Sequence, residues 1–136
     1  MTKARKATLG VIQSSSYPLS TNEVYEKIDL KCDLATVYRA LTYLENRNYL
    51  SSFVLHCQDH GTQRYYTKLK NKDGSANHHH WFHCEKCHNF IDLGSCKLEP
   101  LIENYQKEFD LSVREHTLYL VGTCSTCRTL SSNKSN

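Results

Sequence analysis

Two Cys-x-x-Cys pairs constrain this chain more than any other feature. Cys84 and Cys87 form the first pair, Cys124 and Cys127 form the second, and 36 residues separate them. Each pair holds two thiolates a few ångströms apart, and four thiolates complete a tetrahedral zinc site that has no open position. A closed site of this kind is structural, so we expect the segment between the pairs to fold around a Zn²⁺ ion.

The cysteine count and the hydropathy pattern favour a reducing compartment. Seven cysteines are an odd number, which does not suit a complete disulfide framework. No apolar run approaches the roughly 18 residues that a membrane span needs, and the N-terminus has no signal-peptide core. The sequence therefore predicts a cytoplasmic protein with no membrane partner. Three further cysteines are expected to be small, buried or half-buried thiols: Cys32, Cys57 and Cys96.

Charge and polarity divide the 136 residues into two halves. Residues 1–70 hold ten Lys and Arg against six Asp and Glu, whereas residues 71–136 hold seven against eight. A mildly basic first half suits an anionic partner without identifying it. The polar stretch 71–77 is typical of a hinge. We therefore expect one domain over 1–70, a second over 78–128 and a disordered tail over 129–136.

The first half has the pattern of a winged helix. Apolar residues at helical spacing predict helices over 2–13 and 20–30 and a third helix that Asp33 caps. Two strands, over 49–55 and 63–67, follow as a hairpin. A helix-turn-helix with such a wing favours DNA binding, and the third helix presents Thr36 beside an aromatic and a basic residue. The alternative is a plain helical hairpin packed into a core.

The second half alternates strands and one helix around the first cysteine pair. Apolar patterns predict strands over 79–84, 89–93 and 117–121 and a helix over 98–109. Five of the eight histidines lie between residues 78 and 88. On a strand, His78 and His80 share one face and can chelate one ion together. The alternative is a solvated strand end.

Taken together, these motifs resemble the ferric uptake regulator (Fur) family of metal-dependent bacterial repressors. The similarity covers nearly the whole chain, including Thr2-x-x-Arg5, Leu34-Ala-Thr-Val-Tyr-Arg39 and His116-Thr-Leu-Tyr-Leu-Val-Gly122. It implies an α+β fold, with an N-terminal winged-helix DNA-binding domain and a C-terminal α/β dimerisation domain that carries the four-cysteine zinc site. It also implies a homodimer that controls metal homeostasis by binding inverted-repeat operators in double-stranded DNA.

The resemblance also assigns residues to DNA. In this family the Tyr and Arg of the recognition helix reach the duplex, which here are Tyr38 and Arg39. A basic residue near the N-terminus often enters the minor groove. Three residues of this chain are candidates for that contact: Lys3, Arg5 and Lys6.

The regulatory metal is a further implication of the resemblance. The family's sensory site falls on His78, His80, Glu99 and His116. This set suits Fe²⁺, Zn²⁺ or Mn²⁺. A second family site, beside the hinge, retains only His79 and Asp92. Its other positions are occupied by Pro18, Tyr66 and Trp81.

Three other functions remain as alternatives. Asp92 is the acidic residue associated with peroxide-responsive repressors of oxidative-stress genes on the same scaffold. A zinc-binding metal buffer that does not bind DNA would leave the third helix unexplained. A zinc enzyme needs an open coordination position and a general base. The deaminase signature asks for Pro-Cys-x-x-Cys, whereas Cys84 follows His83, so the sequence predicts that the protein is not an enzyme.

Overall fold

The structure, a computed structural model, describes residues 1–69 and 79–134 and shows two units. These units span Met1–Lys72 and Asp73–Asn136. The predicted hinge, 71–77, and the predicted metal ligand His78 lie outside the described residues. Among the helices that the structure describes, none combines the length and the apolar character of a membrane span.

Three helices and a small antiparallel sheet form the first unit. Its elements are α1 (Lys3–Ser14), β1 (Leu19–Ser20), α2 (Thr21–Lys27), α3 (Leu34–Asn46), β2 (Leu50–Cys57) and β3 (Gly61–Lys68). The sheet order is β1-β3-β2, and β2 and β3 form the hairpin that the sequence predicts. The two-residue strand β1 was not predicted, because two residues are too few to show a period.

Side-chain caps fix where the helices of the first unit begin. Thr2 accepts a hydrogen bond from the Arg5 backbone N–H (3.2 Å), and Asp33 accepts one from the Thr36 N–H (2.8 Å). Ser20 and Glu23 form a reciprocal capping box at the start of α2. Helix α2 ends at Lys27 rather than at residue 30, because the next residue already has an extended backbone.

An apolar core holds the first unit together. It contains Ile12, Leu19, Val24, Val37, Leu41, Leu44, Leu50 and Tyr66. Helix α3 buries Val37, Ala40, Leu41 and Leu44, which lie three or four residues apart and therefore on one face. Leu34 and Tyr38 belong to the same helix, but their side chains are 42% and 58% exposed. Tyr38 lies about 100° around the helix from Val37, which turns it away from the core.

The second unit contains a three-stranded mixed sheet. Its elements are β4 (His79–Cys84), β5 (Phe90–Ser95), α4 (Glu99–Phe109), β6 (Tyr119–Gly122) and α5 (Ser125–Lys134). The sheet order is β5-β4-β6, with β4 antiparallel to β5 and parallel to β6. A parallel pair needs a crossover connection, and α4 lies in that connection.

The last helix differs from the prediction for the chain's end. A disordered tail was expected over 129–136, whereas α5 continues to Lys134. The helix starts at the second cysteine pair, where the Arg128 N–H donates to the Cys124 carbonyl (2.8 Å). The Thr129 hydroxyl then donates to the Ser125 carbonyl (3.0 Å). Residues in this stretch have little apolar periodicity, so no helix was predicted there.

Candidate functional site

The parallel pairing of β4 with β6 brings the two cysteine pairs together. Cys84 lies opposite Gly122 in the sheet, so Cys124 follows two residues after that pairing. The Cys124 backbone N–H lies 3.4 Å from Cys84 Sγ, and Cys87 Sγ lies 3.8 Å from Cys124 Sγ. With Cys127, the four Sγ atoms all lie within 4.8 Å of one another.

These sulfur positions fit a tetrahedral ion. Four thiolates bonded to Zn²⁺ at about 2.3 Å lie about 3.8 Å from one another. The first pair is closed by a tight turn, in which the His88 N–H donates to the Cys84 carbonyl (2.9 Å). His88 adopts a left-handed backbone with φ of 63° in order to make that turn. The four-cysteine cluster therefore fits the predicted zinc site.

Hydrogen bonding gives thiols of this cluster different pKa values. Burial acts to raise the pKa of Cys84, but the backbone N–H groups of Cys124, Cys87 and Lys86 outweigh it and lower that pKa to about 6. The side chain of Cys124, together with burial, raises the pKa of Cys127 to about 12. Cys84 is therefore the thiolate that the fold stabilises first, and a metal ion that binds must displace the proton of Cys127.

A second group of ligand atoms lies at the other end of β4. His80 is 7% exposed, and its Nδ1–H donates to the Leu118 carbonyl (3.0 Å). Its Nε2 lies 3.3 Å from Nε2 of His116. Cys96, just after β5, places its Sγ 3.2 Å from the same His116 nitrogen. Within the described part of the chain, His80, Cys96 and His116 have ligand atoms within 4.8 Å of one another.

Helix α3 exposes the residues that the sequence predicts to contact DNA. Tyr38 is 58% exposed, and the Arg39 guanidinium donates to the Thr36 hydroxyl (3.4 Å). Arg5 lies with its guanidinium 3.6 Å from the centre of the Tyr43 ring, which ties α1 to α3. Arg5 and Arg39 line one shallow cleft. The other two basic candidates, Lys3 and Lys6, are exposed.

Known proteins resemble this chain in sequence and in structure. The sequence model of the Ferric uptake regulator family matches residues 1–121 of the chain. The chain belongs to this family. A ferric uptake regulation protein of Campylobacter jejuni is 28% identical over 135 residues, which cover 93% of this chain and 78% of that protein.

Solved structures of Fur proteins have the same fold. The ferric uptake regulator of Helicobacter pylori, described as having three functional metal-binding sites, aligns with a TM-score of 0.73 and 25% identity. That alignment covers 93% of this chain and 82% of the other. The Fur structure from Francisella tularensis with iron has a TM-score of 0.75 at 23% identity, covering 94% and 93%.

Family membership confirms several predictions. The α+β fold with a cysteine cluster in its second half matches Fur structures. Fur proteins are metal-sensing transcription regulators and not enzymes, so the prediction that this Fur protein lacks enzymatic activity is confirmed.

The structure brings together only part of the predicted sensory set. His80 and His116 meet, whereas Glu99 is exposed on the first turn of α4, where it lines a cleft with His116. Among the described residues, the group of close ligand atoms contains Cys96 instead of Glu99. Cys96 was predicted to be an ordinary thiol. It lies directly after β5 and three residues before Glu99.

The positions of the second family site are largely apolar. His79 donates through Nδ1 to both carboxylate oxygens of Asp92, at 2.7 and 2.9 Å. Within their own units, Pro18, Tyr66 and Trp81 are buried side chains. The one pair of potential ligands that remains is therefore already joined by hydrogen bonds.

Proposed function

We propose that this Fur-family protein is a metal-dependent repressor that binds operator DNA as a homodimer and controls metal homeostasis. The observation that carries the proposal is the exposed face of α3. This helix buries one face in the core of the first unit and presents Tyr38 and Arg39 on the other. The β2–β3 hairpin follows it, and helices followed by such a hairpin are the arrangement of a winged helix.

The chemistry of this face suits double-stranded DNA. An α-helix fits the major groove, where a guanidinium can donate two hydrogen bonds to one guanine. Lys3 and Lys6 are exposed at the start of α1, and the unit carries an excess of basic residues that suits the phosphate backbone. Arg5 is held against Tyr43, so we assign it to positioning α1 against α3 as well as to the DNA surface.

A second copy of the chain is the proposed partner of the second unit, over residues 78–128. Helix α4 buries none of its residues within one chain, and Leu101, Tyr105 and Phe109 are 47%, 48% and 59% exposed. An apolar helix face of this extent marks an interface. A two-fold dimer presents two recognition helices to the two halves of an inverted repeat, which makes a copy of the same chain the fitting partner.

Two kinds of metal site complete the proposal. Zn²⁺ at Cys84, Cys87, Cys124 and Cys127 is structural, because four thiolates leave no open position. A regulatory divalent metal, Fe²⁺, Zn²⁺ or Mn²⁺, binds at His80 and His116, with His78 and Glu99 as the further predicted ligands. Metal binding raises operator affinity because the ion binds the DNA-competent dimer more tightly than other states.

A binding experiment on selected DNA tests the proposal. Duplexes are selected from a random pool by the metal-loaded protein, and their affinity is measured by fluorescence anisotropy. Arg39→Ala should weaken binding by about 1–3 kcal/mol per half-site without changing zinc content. Arg114→Ala is the matched control, because Arg114 is an exposed arginine of the other unit.

Each alternative function predicts a different result. A metal buffer would select no duplex and would show no effect of Arg39→Ala. A peroxide-responsive repressor would lose DNA affinity after peroxide treatment while metal remained in excess. Equal operator affinity in the presence and absence of the regulatory metal would contradict the metal switch.

A further inference from the structure

We propose that Cys96 is a ligand of the regulatory metal, and that His80, Cys96 and His116 form a two-nitrogen, one-sulfur site selective for Zn²⁺. The regulatory role of this site rests on the proposed function, whereas its ligand set rests on the geometry alone. The site is separate from the four-cysteine cluster, whose ligands are Cys84, Cys87, Cys124 and Cys127. The proposal therefore assigns a role to one of the cysteines outside the two pairs.

The distances match those of a metal site. Two imidazole nitrogens bonded to a tetrahedral Zn²⁺ at about 2.0–2.1 Å lie about 3.3 Å apart, and a thiolate at about 2.3 Å lies about 3.6 Å from each nitrogen. In the structure, His80 Nε2 and His116 Nε2 are 3.3 Å apart. Cys96 Sγ lies 3.2 Å from His116 Nε2. All three ligand atoms lie within 4.8 Å of one another.

Neighbouring groups already orient two of the ligands. His80 donates its Nδ1–H to the Leu118 carbonyl (3.0 Å), which fixes the tautomer whose Nε2 lone pair faces the cluster. Metal-bound histidines generally make such a hydrogen bond through the other ring nitrogen. The Leu98 backbone nitrogen lies 3.4 Å from Cys96 Sγ and donates a hydrogen bond to it, which holds the sulfur in place.

A shared cation explains the convergence of these three atoms better than hydrogen bonds among them. A proton can lie between only two of the atoms at a time, whereas a metal ion uses a lone pair of each. The three ligands come from separate parts of the second unit: His80 from β4, Cys96 from the residue after β5 and His116 from the segment before β6. Three separated segments converging on one point is typical of a metal centre.

The sulfur decides which metal the site prefers. Thiolate is a soft ligand that suits Zn²⁺, whereas Mn²⁺ prefers carboxylate and water oxygens. Two imidazoles and one thiolate leave a fourth position. The exposed Glu99 carboxylate lines the cleft beside His116 and can fill that position, as can a water molecule. The proposed selectivity thus follows from Cys96 and does not depend on Glu99.

Cobalt substitution tests the ligand set directly. Protein with one Zn²⁺ per protomer in the four-cysteine cluster is titrated with Co²⁺, and zinc analysis verifies that this ion remains. A sulfur ligand gives an intense near-ultraviolet charge-transfer band when the second site fills. Cys96→Ser should abolish this band and weaken Zn²⁺ binding at the second site on the order of 100-fold. Cys32→Ser, a matched change in the other unit, should leave both unchanged.

A second variant tests the selectivity without removing a ligand. Cys96→Asp replaces the sulfur with a carboxylate oxygen, so the preference of the second site for Zn²⁺ over Mn²⁺ should fall at least tenfold, as judged by competition. Circular dichroism and the retained structural zinc show that each variant is folded.

The outcomes separate this inference from the proposed function. A sulfur band of full intensity in Cys96→Ser, or its absence from the unchanged protein when the second site is filled, overturns the ligand assignment. If metal still switches operator binding in that case, the proposed function stands without it. In the remaining case, Cys96→Ser abolishes the sulfur band but operator affinity does not change with Zn²⁺. That result upholds the metal site and rejects the metal switch.

Discussion

Each of the two units of this Fur protein is stabilised in a different way. The first unit buries a continuous apolar cluster that includes Leu41, Leu44 and Tyr66. Among the described residues of the second unit, the buried hydrophobic side chains are Trp81 and Cys84, and His80 and His83 are buried as well. A small unit with so little apolar burial needs another source of stability. We infer that ligand bonds and a second copy of the chain supply it.

Removing zinc from the four-cysteine cluster should have the largest effect. A structural Zn²⁺ contributes on the order of 10 kcal/mol of apparent folding free energy. Cys124→Ser should therefore unfold the second unit while the first unit keeps its helices. Trp81 is the chain's one tryptophan and is 5% exposed, so its fluorescence reports on the second unit.

Loss of zinc should shift the Trp81 emission to longer wavelength. Far-UV circular dichroism should retain the signal of α1, α2 and α3. Cys32→Ser serves as the control, since Cys32 packs beside the core of the first unit and belongs to neither cysteine pair. Unchanged Trp81 emission in a zinc-free protein would show that the second unit folds without the ion.

A substitution in the apolar core of the first unit should have the opposite pattern of effects. Leu41 is fully buried on the inner face of α3, and replacing a buried leucine with alanine costs about 2–5 kcal/mol. Leu41→Ala should lower the denaturant midpoint of the helical signal and leave zinc content and Trp81 emission unchanged. Leu34→Ala is the matched control, because Leu34 is 42% exposed on the same helix. Equal losses in both variants would mean that α3 is not held by its buried face.

The features that the sequence predicts well are those that depend on residues close together in the chain. The starts of α2 and α3 were predicted because their caps, Ser20 and Asp33, act on residues three positions away. The cysteine pairs were predicted because each is two ligands three residues apart. Helix α5 has little apolar periodicity, and it was not predicted. Features that depend on neighbours in sequence are therefore predictable in this chain.

Cys96 illustrates what local patterns cannot reveal. It has no second cysteine at metal-binding spacing, and it meets His116, which is 20 residues away, only because β5 and β6 flank β4. Glu99 carried the stronger local signal, since it stands at a position matching the family's pattern, yet its side chain is exposed outside the close ligand group. The ligand set of a site built from several segments depends on sheet order, which a single sequence does not state.

The smallest of the three effects concerns the uncovered face of α4. Phe109 is 59% exposed in one chain, so Phe109→Asp should not lower the stability of a single chain. If this face is covered by a second copy, each subunit loses a buried aromatic anchor worth about 2 kcal/mol or more. Because a two-fold interface contains the residue twice, the dimer dissociation constant should rise on the order of 1,000-fold.

Sedimentation of the zinc-loaded protein across a dilution series measures this change. Lys107→Ser is the matched control, because Lys107 is exposed on the same helix without contributing apolar area. A dimer of unchanged affinity in Phe109→Asp would place the subunit contact elsewhere on the second unit. A variant that becomes monomeric while Trp81 emission stays unchanged would show that zinc folds the second unit and the partner copy covers it. Zinc binding and dimer formation would then be two separate sources of stability for the second unit, whereas the first unit depends on its one apolar core.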